Sequence, residues 1–386
     1  MHRHLRPAVA VAFACGLLAA PVVATAAPRT FVASTGLDTN PCSLAQPCRS
    51  FATAVAAADA GGEVVALDSA GFGALTIAKS LTVVAPEGVH AGITVAGAGG
   101  DAITVDDPGA VVTLRNLRLN ATGGALSRGV VVAQALRVSI EGLQFAGFTG
   151  TAVDIPAASS MVSISGSTIR GGSVYGNGIV VSDASRLTIA DSRIDQVYVG
   201  VAASNGAYVS MTNLRVAHVT QQALAATAGG TRTTAVAIER SEFFANGVGI
   251  PSSIGPSAAI QTSADSLTSR VDLTMSDSVV SFSPGFAALQ IGWAFANQGP
   301  QTVTLTGNRI VNNAGQGIAI QVGQFDVAKV KVVLSRNSVT RNSYGVGCNG
   351  GGLVTRSDNA IYDNVVAQIS NCGAPGSAGH VQLGGN

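Results

Sequence analysis

The stretch Val303-Thr-Leu-Thr-Gly-Asn-Arg-Ile310, followed by Gly317-Ile-Ala-Ile320, recurs along most of the chain and limits what it can fold into. Aligning copies on the second apolar residue of each short strand gives Leu114, Ile140, Ile164, Ile189, Met211, Ile238, Met275, Leu305, Leu334 and Arg356, the last a departure. The steps run from 22 to 37 residues, with a mean near 27. A strand–turn–strand unit of this length cannot bury its apolar face alone and must stack on its neighbours.

The offsets within each copy set the kind of stack. Two residues after the anchor stand turn formers that tolerate left-handed backbone, such as Asn116, Gly142, Asp191, Asn213 and Gly307. Five after it stand apolar residues, among them Leu119, Phe145, Ile169, Ile194 and Ile310. A Gly-apolar-x-apolar strand then closes most copies, as in Gly129–Val132, Gly178–Val181, Gly247–Ile250, Gly317–Ile320 and Gly345–Cys348. These patterns predict an all-β fold, a single-stranded right-handed parallel β-helix of about twelve coils. The helix would run from residue 63 to 386, with an insertion near 251–270 where the longest step falls. Three after the anchor, Asn308, Asn337 and Asn359 fall on consecutive coils, where amides stacked about 4.8 Å apart can bond one to the next.

Ahead of the repeats, residues 1–26 read as a signal peptide. Arg3 and Arg6 precede the apolar run Ala8–Ala20, and Ala24-Thr25-Ala26 is a small-x-small cleavage site. Residues 27–62 read as a strand, a Cys-bracketed loop and a short capping helix that starts at Ser50 and stops at Gly61-Gly62. Four cysteines follow the leader, and their separations pair Cys42 with Cys48 and Cys348 with Cys372. Cys348 and Cys372 are 24 residues apart, close to one coil, which suits a bridge between neighbouring coils. The expected location is therefore outside the cytoplasm, periplasmic or extracellular. Without the leader the chain carries 20 basic and 21 acidic residues, which is no footprint for nucleic acid. No transmembrane segment is expected, because Gly, Asp, Asn or Ser interrupts every apolar run.

With these residues in view, the chain resembles the pectin-lyase-like superfamily, in particular exported bacterial proteins built from parallel β-helix repeats. The opening from Thr30 to Val84 is similar to one that recurs in that group: a strand, a Cys-x5-Cys loop, a capping helix, then Gly61-Gly-Glu-Val64. The resemblance implies the fold and leaves activity open, since the superfamily holds pectate lyases, polygalacturonases, alginate epimerases and phage tailspikes. The polygalacturonase pattern of Asn-Thr-Asp, Asp-Asp, Gly-His-Gly and Arg-Ile-Lys is missing, as is the Asp-Pro-His-Asp motif of alginate epimerases.

Charge on the middle coils is expected to cancel between neighbours: Arg170 with Asp195, Arg215 with Glu242, and Arg240 with Asp277. What stays unpaired in this reading is Asp154, on the outer column of the Gly-initiated strands, and Asp183, in the turn after that strand. The insertion is followed by Trp293 and Phe295, aromatics able to stack on a sugar. Asp154, Asp183, Trp293 and Phe295 are thus the candidate ligand contacts, with no metal and no cofactor site expected. The function expected is an exported scaffold that binds a polysaccharide or cell-surface glycan without catalysis. The alternative is a polysaccharide lyase or glycosidase. A third reading is ice binding along the hydroxyl column Thr113, Ser139, Ser163, Thr188, Ser210, Thr274 and Thr304. The outer column of Val, Ala and Gly would also suit self-association into a homo-oligomer.

Overall fold

The computed structural model describes residues 27–97, 99–123, 126–156, 160–171, 176–247, 257–292, 298–321, 329–349, 352–372 and 380–383. Within them the chain winds through three parallel sheets of 14, 12 and 12 strands. Each coil gives one strand to each sheet in turn, as in Val111–Arg115, Leu117–Thr122 and Ser127–Gln134. Parallel strands joined by crossovers wind right-handed, so the molecule is a right-handed parallel β-helix. The anchors stack directly on the first sheet, from Leu114 on Ile140 to Leu305 on Leu334. They are buried and fill the tube with the apolar residues five positions later. The last anchor is Thr355 rather than Arg356: Leu334 pairs with Thr355, and the extra residue is absorbed in the turn before Ile361.

The turn after most first-sheet strands is left-handed, as at Asn116 (φ 58°), Asp191 (φ 50°), Asn213 (φ 50°) and Gly307 (φ 69°). Arg240 and Arg336 adopt the same backbone, so the position demands the conformation even where the residue type does not favour it. Glycine at the head of the third-sheet strand has a different cause. At Gly200 a Cβ would strike the carbonyl of Ala223 on the next coil and come within 2.9 Å of the Val216 side chain in the core. The 37-residue coil differs from expectation in one respect. Its third-sheet strand is Ala258–Ala264, in register with the strands before and after it, so residues 258 to 270, expected in the insertion, follow the regular coil, while the expected strand residues 248–250 lie outside the described residues.

At the amino end, Ser50 caps the helix Phe51–Ala57, its hydroxyl accepting from the Thr53 amide at 3.3 Å. Phe51, Ala54 and Val55 join the core over the first coil, and Phe51 packs on Phe72 with centroids 5.1 Å apart. The helix stops at Ala57, ahead of Gly61-Gly62. The chain is drawn into the strand Ala58–Ala66, which pairs with Ala27–Val32. The Cα atoms of Cys42 and Cys48 are 4.6 Å apart in one bridge, and those of Cys348 and Cys372 are 4.8 Å apart in the other.

The amide stack is present and continuous. Asn308 Nδ2 donates to Asn337 Oδ1 at 3.1 Å, and Asn337 Nδ2 donates to Asn359 Oδ1 at 3.0 Å. Each Oδ1 also accepts the backbone N–H of the coil before it. A second ladder runs five residues further on, through Asn313, Asn342 and Asn364. Both are internal, closing the backbone bonds that the turns leave open.

Candidate functional site

The outer face of the first sheet carries two adjoining depressions, of about 350 and 320 Å³, that share Arg186 and Thr188. Together they form a groove crossing six consecutive coils, from Arg137 to Asp272 and Thr274. At strand spacing that is about 24 Å along the helix axis. Its geometry follows from the alternation of the strands, which turns residues 137, 139 and their coil-to-coil partners outward. One outward column reads Arg137, Met161, Arg186, Tyr208, Ala235 and Asp272. The other reads Ser139, Ser163, Thr188, Ser210, Ala237 and Thr274. On the coil holding Ala235 and Ala237 both outward side chains are single methyl groups, which leaves the depression between Tyr208 and Asp272.

The groove therefore combines three kinds of group. Arg186 lies over the Tyr208 ring, 4.9 Å from its centroid, leaving a ring that is 41% exposed. Among the described residues, no carboxylate ion-pairs with Arg137 or Arg186, so both guanidinium charges face outward unneutralised. Asp272 is held by Arg270 at 2.7 Å, and that hydrogen bond raises the Arg270 pKa further. A hydroxyl column runs down the middle, with Ser163 bonded to Ser139 at 3.3 Å. The column is broken at Ala237 and at Val333, beyond the groove.

The candidates taken from the sequence lie elsewhere and do not converge. Asp154 is not unpaired: Arg128 on the preceding coil bonds it at 2.9 Å and Asp101 at 2.8 Å. The hydrogen bonds that Arg128 donates to Asp101 raise the Arg128 pKa, against burial, so this acid–base–acid row is a closed unit on the third sheet. Asp183, in a left-handed turn three residues before Arg186, is bonded by Arg232. Trp293 and Phe295 lie outside the described residues. The expected pairing of Arg170 with Asp195 does not form. Their Cα atoms are in register, but Arg170 turns to Gln196 at 3.0 Å. Arg240 bonds Glu239 beside it rather than Asp277 on the next coil. Arg215 with Glu242 forms, at 3.4 Å.

Asp195 instead accepts from Arg193 at 3.1 Å and meets His218 Nδ1 at 2.9 Å. Burial pushes its carboxyl up, but the His218 and Arg193 hydrogen bonds outweigh it and hold the pKa below the ordinary value. His218 is set edge-on to Phe244, which packs against Phe282 and under Arg215. Among the described residues no three His, Cys, Asp or Glu side chains form a metal-holding group. Two signals for these features stood in the sequence. The hydroxyl column was visible, but its arginine-bearing neighbour column was not aligned with it. His218 lies 23 residues after Asp195, close to one coil.

A family profile described as right handed beta helix region matches residues 94–265. Among solved structures, the A-module of a mannuronan C-5 epimerase from Azotobacter vinelandii superposes with a TM-score of 0.59 at 13% identity. The superposition covers 83% of this chain and 91% of that one. A pectate lyase superposes with a TM-score of 0.55 at 13% identity, over 88% of this chain and 80% of its own. This chain shares their right-handed parallel β-helix fold. No curated protein matches its sequence. At these identities the likeness concerns the β-helix itself, and the groove has to be read from its own residues.

Proposed function

We propose that this is an exported, glycan-binding β-helix whose first-sheet groove takes a linear acidic polysaccharide. The observation that carries the reading is the row Arg137, Met161, Arg186, Tyr208 beside a column of hydroxyls. Arg137 and Arg186 are two coils apart, about 10 Å at strand spacing, which is the scale of a disaccharide unit. Guanidinium groups suit sugar carboxylates, an exposed tyrosine suits a pyranose face, and serine and threonine suit ring hydroxyls. The two fold relatives above are named for acidic polysaccharides, mannuronan and pectate, and that class fits the charge of this groove.

Binding rather than cleavage is favoured by the carboxylates. Hydrolysis of a glycosidic bond uses two carboxyl groups about 5 to 9.5 Å apart. Among the described residues lining the groove, Asp272 is the one carboxylate, and Arg270 occupies it. Ice binding gains nothing from the same column, since it lines a concavity and is interrupted by Ala237 and Val333. Export rests on the leader reading of residues 1–26, with which the two disulfides agree.

The test is retention of the mature protein on immobilised polygalacturonate and alginate, with a neutral glucan as control. Parallel assays would follow reducing ends and unsaturated uronate. Binding to an acidic polymer is expected, weakening with salt. Arg186→Ala or Tyr208→Ala should each lower affinity about tenfold. Absence of binding to acidic polymers, or indifference to both substitutions, overturns the reading. Release of products would replace it with an enzyme.

A further inference from the structure

A second concavity, of about 410 Å³, opens on the outer face of the third sheet near the carboxyl end. Three consecutive coils line it: Gln316 and Gln321 from one strand, Tyr344 and Asn349 from the next, and Ser370 and Asn371 from the last. Gln316 is in register with Tyr344, and Gln321 with Asn349. Its depth has a local cause. The column beneath reads Ala319, Gly347 and Ser370, and a Cβ on Gly347 would collide with the Gln316 amide oxygen. Glycine at 347 thus lets that amide lie across the column. The Cys348–Cys372 bridge ties the second coil to the end of the third, and Cys348 itself lines the cavity.

The lining is uncharged. Among the described residues its polar groups are amides, a hydroxyl and a phenol, set beside Ile320, Gly347 and the Cys348 sulfur, with no carboxylate, guanidinium, ammonium or imidazole. Gln316, Asn349 and Asn371 make no side-chain hydrogen bond among the described residues, so their donors and acceptors are available. Gln321 is oriented: fully buried Gln290 donates to its Oε1 at 3.1 Å, which leaves the Gln321 NH₂ as a donor to the cavity. Convergent uncharged donors and acceptors beside one aromatic side chain match a ligand that is itself uncharged and rich in hydroxyls. The volume lies within the range of small-ligand sites, about 300–1,000 Å³.

We propose that this cavity is a binding site for a neutral saccharide unit of one or two sugars, separate from the acidic-glycan groove on the first sheet. It stands on its own lining and does not depend on that groove. The test titrates the disulfide-intact mature protein with neutral disaccharides, namely cellobiose, xylobiose, mannobiose and lactose, by calorimetry at low and high salt. At least one is expected to bind, with a Kd that changes less than twofold with salt. Asn349→Ala and Gln321→Ala should each weaken it tenfold or more. The conservative Asn349→Asp, which places a charge in the cavity, should weaken it as well. Arg186→Ala should leave it unchanged. Thermal midpoints equal to wild type would show that the variants fold. The proposal is overturned if none of the four binds, if binding falls steeply with salt, or if it survives the cavity substitutions. It is also overturned if binding is lost with Arg186→Ala, which would assign the neutral sugar to the groove.

Discussion

Asp195 lies almost buried on the second sheet and stays ionised because Arg193 and His218 both reach it. Its folded pKa is below the ordinary carboxylate value, so the sign of its effect is fixed. The stability it contributes is fully present above the unfolded pKa, about pH 4, and is lost as pH falls through the folded pKa. Asp195→Asn keeps the shape and removes the charge. It is expected to destabilise by about 1.5 kcal/mol at neutral pH, the scale of a hydrogen bond to a charged group. The gap from wild type should narrow below about pH 4 and close in stronger acid. Urea midpoints of both proteins across that range would check it. A gap that persists undiminished in acid would mean that the charge of Asp195 is not what stabilises the site.

The recurring element is the coil corner, where a side chain five residues before or after its counterpart closes a turn. In the upstream coils Ser241 and Ser278 occupy the ladder position, and each hydroxyl accepts the backbone N–H of the coil before it. From Asn308 onward asparagine does the same and also donates, Asn337 reaching the Leu305 carbonyl at 2.8 Å. Replacing Asn337 by Ser should therefore keep the acceptor and cost about 1–2 kcal/mol. Asn337→Ala orphans buried groups on both sides and should cost about 3 kcal/mol or more. Chemical denaturation of the two variants would rank them, and equal losses would mean the ladder's acceptor role is unimportant. This level of structure was largely legible in advance. Strand spacing, turn type and the Asn308 ladder follow from period and residue type alone. The second ladder went unread because Asn313, Asn342 and Asn364 sit eight or nine residues past their anchors, beyond the offsets compared. The groove was half legible for a related reason. Tyr208 and Arg186 are ordinary exposed strand residues until register sets them one above the other. Asp154 looked free because its partner, Arg128, belongs to a neighbouring column on the preceding coil.

As a whole the molecule is a one-dimensional stack in which each coil is held by its two neighbours, so its ends are its weak points. The amino end is closed by the helix Phe51–Ala57, which puts Phe51 and Val55 into the core. The carboxyl end has no such plug among the described residues. There Ile361 is only half-buried, and Tyr362, Val365 and Val366 are 60%, 84% and 58% exposed. The last coil thus buries little apolar surface, and the bridge from Cys348 to Cys372 compensates by closing a loop of sequence separation 24. A loop of that size is worth about 3 kcal/mol in restricted unfolded-chain freedom, a factor of roughly a hundred in an opening equilibrium. In the Cys348→Ser, Cys372→Ser double variant that loss should fall on the end of the stack. Hydrogen exchange is expected to quicken about a hundredfold in Gly352–Arg356 and Ala367–Ser370 and to stay unchanged in Arg186–Ala190, six coils away. Equal acceleration everywhere would show that the coils open together, and that a clamp at one end stabilises the stack as a single cooperative unit. A local effect would also separate the two proposed sites, because the amide-lined cavity beside Cys348 should loosen while the Arg186 groove keeps its ligand.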